Sequence, residues 1–260
     1  MNVTIIGAGA FGKALGKILT DNGHGITYFD RKNSMSLEDA TRETDVIVIA
    51  IPSAAVPEFA SSLPTDLRQL PVILATKGML SLDVFADYVR FSVLGGAAFA
   101  VDIMEELPVT LTVTDELSQM LFKNERVAVE LTDDALGVEL CGSLKNIYAI
   151  GAGALVKNPD EMLEYLQKAL AEIKLYLVDH GAKPETAELA CGIEDLTMSA
   201  TSEKSRNLRF GQALAEGRSV EEAHSGLETV EGLEALDEIK YEDYPIIAKV
   251  YELVRGREAK

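Results

Sequence analysis

Four stretches of this sequence combine residue types and spacings that could do chemistry. The first, Gly7-Ala8-Gly9-Ala10-Phe11-Gly12, is a G-x-G-x-x-G turn. In such a turn the first glycine takes the tight bend and the second lets the main chain approach a pyrophosphate. The third brings the following helix close to the preceding strand, and the unpaired N–H groups at the helix start favour an anion. The second stretch is Gly137-Val138-Glu139-Leu140-Cys141-Gly142-Ser143-Leu144-Lys145-Asn146. If helical, it puts Gly142 and Lys145 one turn apart on a single face, with Val138 a further turn back. A glycine inside a helix costs about 1 kcal/mol relative to alanine, so its presence there suggests that something must approach the backbone. Lys145 would sit beside that clearance. The alternative is a surface lysine on an amphipathic helix, but its neighbours are nearly all apolar or small, and a partly buried lysine has a lowered pKa and can act as a general acid or base near neutral pH. The third stretch is Lys77 with the pair Gly95-Gly96, each following a strand-like run and therefore placed on the carboxyl edge of a sheet. Lys77 reads either as a ligand contact or as a solvated loop cation. The fourth is Ser205-Arg206-Asn207 at a helix start, which alone reads as a cap with a solvated arginine.

The elements that must position these residues follow from periodicity. Asn2 to Ile6 is a β-rich run before the glycine turn, and Ala14, Leu15, Ile18 and Leu19 recur at helical spacing behind it. A second strand, 25–29, ends at Asp30, about twenty residues beyond the turn, where a carboxylate can hold the ribose diol of NAD. Arg31 and Lys32 come next and could hold the 2′-phosphate of NADP instead, so the cofactor is NAD or NADP, with the carboxylate leaning towards NAD. The run Val46-Ile47-Val48-Ile49, stopped by Pro52, reads as a central strand buried on both faces. Further strands are expected at 71–75 and 91–94, the latter running into the Gly95-Gly96 turn, with helices at 56–63 and 82–88; 108–113 and 126–131 extend the sheet near its edge. From about Asp134 helical spacing takes over. The clearest helix runs from Asp160 to His180, with Leu163, Leu166, Leu170, Ile173 and Leu177 as its core stripe and Gly181 as its stop. Others are expected at 206–216, 220–223, 230–239 and 245–254, with a frayed tail from Arg255. The fold class is α/β: a Rossmann-type, doubly wound sheet over 1–133 that binds the dinucleotide, then an all-helical domain over 134–260 for substrate and catalysis.

The chain has 260 residues, 47% of them hydrophobic, enough to bury a core in one large or two moderate domains. Its net charge of −18 disfavours nucleic acid and anionic membranes, which are bound by excess Lys and Arg. A phosphorylated ligand must then be held by a few local cations. Cys141 and Cys191 are too few for a disulfide scaffold and share no metal-like spacing with His24, His180 and His224. A reduced, cytoplasmic setting fits, with no cationic leader and no membrane-spanning run.

In order and spacing, Gly7 to Gly12, Ala75-Thr76-Lys77-Gly78, Val138 to Asn146 and Ser205-Arg206-Asn207-Leu208-Arg209-Phe210-Gly211 resemble the bacterial NAD(P)-dependent sn-glycerol-3-phosphate dehydrogenases. Gly96 with Phe99-Ala100, Asp195-Leu196 and Val230-Glu231-Gly232 extend the resemblance over nearly the whole chain. It implies reversible hydride transfer between C2 of glycerol 3-phosphate and a nicotinamide, giving dihydroxyacetone phosphate, at the head of glycerophospholipid synthesis. By the resemblance Lys145 exchanges the proton of the C2 hydroxyl, Lys77 and Asp195 orient the substrate and the lysine, and Gly96 lines the pocket. Ser205, Arg206 and Asn207 grip the phosphate or its neighbouring hydroxyl. Gly7, Gly9, Ala10, Phe11, Gly12, Asp30, Arg31, Lys77, Ala100, Arg206 and Glu231 face the cofactor. Arginine suits the phosphate role through its fork of donors.

There are departures from the family pattern. Phe11 stands where tryptophan is usual, Gly95-Gly96-Ala97-Ala98 where Ser-Gly-Pro and a hydroxyl residue are usual, and Gly192-Ile193-Glu194-Asp195 where Gly-x-Gly-Asp is usual. A loop between the second and third strands is missing. Ala98 thus implies one substrate hydrogen bond lost, and Glu194 adds negative charge beside Asp195. Other readings are a diverged reductase of another small phosphorylated ketone or a 2-keto acid, and a non-catalytic dinucleotide sensor, which would need no buried proton carrier. A homodimer is a further possibility.

Overall fold

The computed structural model describes residues 1–31, 35–76, 78, 80–227, 230–239 and 243–258. They form two compact units, Met1–Ala135 and Leu136–Lys260.

The first unit is built on a seven-stranded sheet in the order β2-β1-β3-β4-β5-β6-β7. Its strands are β1 (Asn2–Ile6), β2 (Gly25–Phe29), β3 (Val46–Ile49), β4 (Pro71–Leu74), β5 (Arg90–Ala97), β6 (Val109–Val113) and β7 (Val127–Leu131). All neighbours pair parallel except β5 and β6. Among the described residues the α-helices that accompany them are α1 (Ala10–Asp21), α2 (Leu37–Thr41), α3 (Val56–Ser62), α4 (Ala100–Met104) and α5 (Glu116–Phe122). The β-branched run of β3 is buried as its hydropathy requires. Val46 and Val48 join the cluster with Ile5, Leu15 and Leu19, while Ile47 and Ile49 join the one with Phe59 and Leu63 on the opposite face. Each such side chain contributes about 1.5–3 kcal/mol of burial, which makes β3 the anchor of both layers. The chain leaves β1 for β2 on one side and takes up β3 on the other. The strand order therefore reverses between β1 and β3, and the loops after them, 7–9 and 50–53, lie at the reversal where doubly wound sheets bind ligands.

Several expectations are corrected here. Gly95 and Gly96 form no turn but lie inside β5, paired with Thr112 and Leu111. Gly96 has φ +126°, and a Cβ there would stand 2.5 Å from the Thr110 carbonyl oxygen, so the glycine serves the close antiparallel crossing. The expected helix at 82–88 is one 3₁₀ turn, Leu82–Phe85, started by the Ser81 side chain accepting from the Asp83 N–H. Helices α4 and α5 were not expected. Ala98 is 1% exposed within the core of the first unit.

The second unit contains α6 (Ala135–Leu155), α7 (Pro159–Asp179), α8 (Asp195–Thr201), α9 (Arg206–Ala215), α10 (Val220–His224), α11 (Glu231–Glu238) and α12 (Pro245–Glu258). Helix α12 thus continues past the expected fraying point. Helix α6 is buried all round, as an almost wholly apolar helix must be. A glycine on each helix lets α9 approach α6: a Cβ on Gly153 of α6 would stand 2.2 Å from the Leu208 carbonyl oxygen, and one on Gly211 of α9 would stand 2.1 Å from that of Ile150. Helix α7 buries the C-terminal part of the leucine stripe, Ile173 and Leu177, with Leu166 and Leu170 half-buried, and leaves its first member out. Leu163 is 66% exposed, and the buried positions are Ala169, Glu172, Ile173, Tyr176 and Leu177. Glu172 is buried because its carboxylate accepts from the Ile246 N–H at 2.9 Å and caps α12; burial nonetheless pushes its pKa up.

Candidate active site

In the first unit, the G-x-G-x-x-G residues behave as their spacing requires. Gly7 has φ +110°, and a Cβ on it would stand 2.4 Å from the Ala50 carbonyl oxygen. A Cβ on Gly12 would stand 2.0 Å from the Gly7 carbonyl oxygen, so α1 can follow β1 this closely only with glycine there. Gly9 differs: its backbone is ordinary, and a Cβ would meet no heavy atom within 4 Å. The chain therefore has no internal use for this glycine, whereas an approaching pyrophosphate would. No side chain caps the start of α1, where the Lys13 N–H donates to the Gly9 carbonyl at 3.0 Å; the N-terminus of a helix in this setting favours an anion. Ala10 is exposed and Phe11 packs half-buried against the core. Asp30 follows β2 directly and is half-buried, Arg31 is exposed, and Ala100 opens α4. A further tight contact escaped the sequence reading: a Cβ on Gly16 would stand 2.0 Å from the Tyr28 hydroxyl. Lys77, and Lys32 beside Arg31, lie outside the described residues.

In the second unit, Lys145 projects from the middle of α6 and is 3% exposed. Its Nζ donates to Asp195 Oδ1 at 2.6 Å and to Ser199 Oγ at 3.1 Å, while the Ser199 hydroxyl stands 3.4 Å from the same carboxylate oxygen. Asp195 and Ser199 are four apart on α8 and so share a face. Helix α8 is delivered by a single wide π-turn, Ala190–Glu194, in which a Cβ on Gly192 would stand 2.2 Å from the Ala187 carbonyl oxygen. Glu194 is exposed on this turn, whereas Asp195 is buried. An ammonium this deep would be costly alone; the charge-assisted bond to Asp195 offsets its desolvation. Three residues before Lys145, Gly142 has no heavy atom within 4 Å of where a Cβ would stand, unlike Gly151 and Gly153 further along the same helix.

A second polar cluster lies on the other side of Asn146. Asn207 Nδ2 donates to Asn146 Oδ1 at 3.0 Å and to Glu231 Oε2 at 3.3 Å, and its own Oδ1 accepts from the Gly232 N–H at 2.9 Å. Arg206 pairs with Glu231. The structure thus brings Lys145 to Asp195, and Arg206 and Asn207 to Glu231. Ser205 stands apart: its hydroxyl accepts from the Leu208 N–H at 3.3 Å as the cap of α9. Sequence reasoning missed Ser199 and Asn146. Both had a signal, since Ser199 lies one helical turn beyond Asp195 and Asn146 adjoins Lys145.

Two family models match this chain, described as the C-terminus of NAD-dependent glycerol-3-phosphate dehydrogenase over residues 134–259 and its N-terminus over residues 2–37. A glycerol-3-phosphate dehydrogenase (NAD(P)+) of Halorhodospira halophila is 30% identical, over 98% of this chain and 92% of its own length. The chain belongs to the NAD-dependent glycerol-3-phosphate dehydrogenase family. Another family member, the glycerol-3-phosphate dehydrogenase (NAD(P)+) of Colwellia psychrerythraea, is 28% identical over 99% of this chain and 94% of its own length. The alignment with the Halorhodospira protein runs over 307 positions against 260 residues here, so the chain is short for the family. The fold agrees: the crystal structure of glycerol-3-phosphate dehydrogenase from Coxiella burnetii superposes with a TM-score of 0.85 at 24% identity, covering 98% of this chain and 94% of that one.

Proposed function

We propose that this chain catalyses reversible hydride transfer between C2 of sn-glycerol 3-phosphate and NAD or NADP, with dihydroxyacetone phosphate as the keto partner, in the supply of glycerol backbones for phospholipids. The first unit holds the dinucleotide: the open Gly9 and the uncapped start of α1 fit a pyrophosphate, and the position of Asp30 and Arg31 just after β2 supports a role in reading the adenosine ribose. When bound, the nicotinamide takes up or gives the hydride at C2. The chain's own residues manage the proton and the phosphate. In the reducing direction Lys145 Nζ gives a proton to the oxygen that becomes the C2 hydroxyl; in the oxidising direction the neutral amine takes it back. Asp195 and Ser199 hold that nitrogen in place, and the ion-paired ammonium is the donor state. Lys77 and Gly96 assist in placing the substrate. Arg206, held by Glu231, offers its guanidinium to the substrate phosphate or the cofactor, with Ser205 and Asn207 shaping the turn around it.

The observation that carries this reading is the buried Lys145–Asp195 pair beside the unused clearance at Gly142. The test follows NADH and NADPH absorbance in parallel with dihydroxyacetone phosphate present, for the wild type and Lys145→Ala. The wild type is expected to oxidise the reduced cofactor. The variant should bind it nearly unchanged and turn over about 10²–10⁴-fold more slowly. Turnover like that of the wild type removes Lys145 from its role, and dinucleotide binding without turnover in the wild type overturns the substrate assignment.

A further inference from the structure

At the end of the second strand of a doubly wound sheet, a carboxylate favours the free ribose diol of NAD and a guanidinium favours the 2′-phosphate of NADP. This chain places Asp30 and Arg31 there, with a second cation, Lys32, next in the sequence, so these residues leave the choice undecided. A residue from a different element bears on it. Glu58, in the first turn of α3, puts its Oε2 3.7 Å from Arg31 Nη2, with the two side chains 78% and 70% exposed. Helix α3 follows β3, so this carboxylate reaches the end of β2 from the far side of β1. Arg31 thus has Asp30 next to it in the sequence and the Glu58 carboxylate reaching it from a separate element.

We propose that Glu58 determines cofactor choice in this chain, biasing the adenosine end of the site towards NAD and against NADP. The inference rests on the dinucleotide reading of the first unit. A 2′-phosphate brings close to two negative charges. With Asp30 as its only neighbour, Arg31 could turn to that phosphate; with Glu58 present, the phosphate must displace one carboxylate while standing near the other. The overall charge of −18 adds a background of the same sign. An exposed pair of this kind contributes little to stability, so its substitution probes the charge rather than the fold.

The experiment measures NADH and NADPH binding to the full chain, without substrate, by calorimetry for the wild type, Glu58→Gln and Glu58→Asp. The wild type is expected to bind NADH about tenfold more tightly than NADPH, Glu58→Gln to narrow that ratio about three- to tenfold, and Glu58→Asp, which keeps the charge, to stay near the wild type. The effect of Glu58→Gln should fade as salt is raised to about 0.5 M. A wild type that prefers NADPH, a ratio unmoved in Glu58→Gln, or equal effects of the two substitutions would each overturn the proposal. Failure to bind either dinucleotide would instead overturn the dinucleotide reading, and this proposal with it.

Discussion

Removing one member of the Lys145–Asp195 pair should cost more than removing both. The two side chains are each 3% exposed and bonded at 2.6 Å, so Asp195→Leu leaves an ammonium in the helical core with, among the described residues, the Ser199 hydroxyl as its remaining acceptor. Breaking such a pair costs about 3–5 kcal/mol, and the surviving hydroxyl places the expected value near the lower end, about 3 kcal/mol. Lys145→Met should cost a similar amount through the stranded carboxylate. The double variant Lys145→Met/Asp195→Leu buries apolar groups of similar size and strands no charge. Its expected cost is below about 1 kcal/mol, a coupling of several kcal/mol between the sites. Because the chain has no tryptophan, urea unfolding is best followed by far-UV circular dichroism, with the two units fitted as separate transitions where they part. All three variants should lose turnover, so activity serves here as a control and stability as the readout. If the two single costs sum to that of the double variant within about 0.5 kcal/mol, the pair is not coupled and the account of Lys145 as a compensated buried charge is wrong.

The glycines give sharper tests. Gly9→Ala meets no atom and should fold like the wild type yet weaken NADH binding by tenfold or more, whereas Gly12→Ala, with the Gly7 carbonyl oxygen 2.0 Å away, should lower the melting temperature as well; normal NADH affinity in Gly9→Ala would remove the pyrophosphate from that position. Gly142→Ala should stabilise the helical unit by about 0.5–1 kcal/mol and raise the KM for dihydroxyacetone phosphate, and an unchanged KM would show that substrate does not use the clearance. Glu172 has its pKa raised by burial, so the stability it contributes is complete below the ordinary glutamate value of 4.5 and is lost as pH rises through the raised value. The stability of Glu172→Gln relative to the wild type should therefore grow with pH across that window, and a relative stability by urea unfolding that falls with pH would refute the sign.

The parts of the fold legible in the sequence are those in which one short-range rule decides. β3 is four β-branched residues buried on both faces, and the strand–glycine–helix start is fixed by backbone contacts that only glycine permits. Lys145 stood out because a charge among apolar neighbours needs a partner. The failures come from partners distant in sequence. Gly96 reads as a turn until β6 lies across it. On α7 a count of leucines found Ile173 and Leu177 but also took in the exposed Leu163, and it passed over Tyr176 and Glu172, whose carboxylate is needed 74 residues away at Ile246. Ser199 escaped because a serine in a helix is unremarkable until the lysine it receives is in place.

The wide turn at Ala190–Glu194 makes the site depend on arithmetic as much as on chemistry. Each residue advances a helix by about 100°, so deleting any one residue from that turn would swing Asp195 a quarter of a circle or more away from the nitrogen it serves, with every side chain of the site still present. Length changes are therefore confined to other loops in any variant that is to stay active, and homologous segments can be grafted at this position only when their residue number is the same.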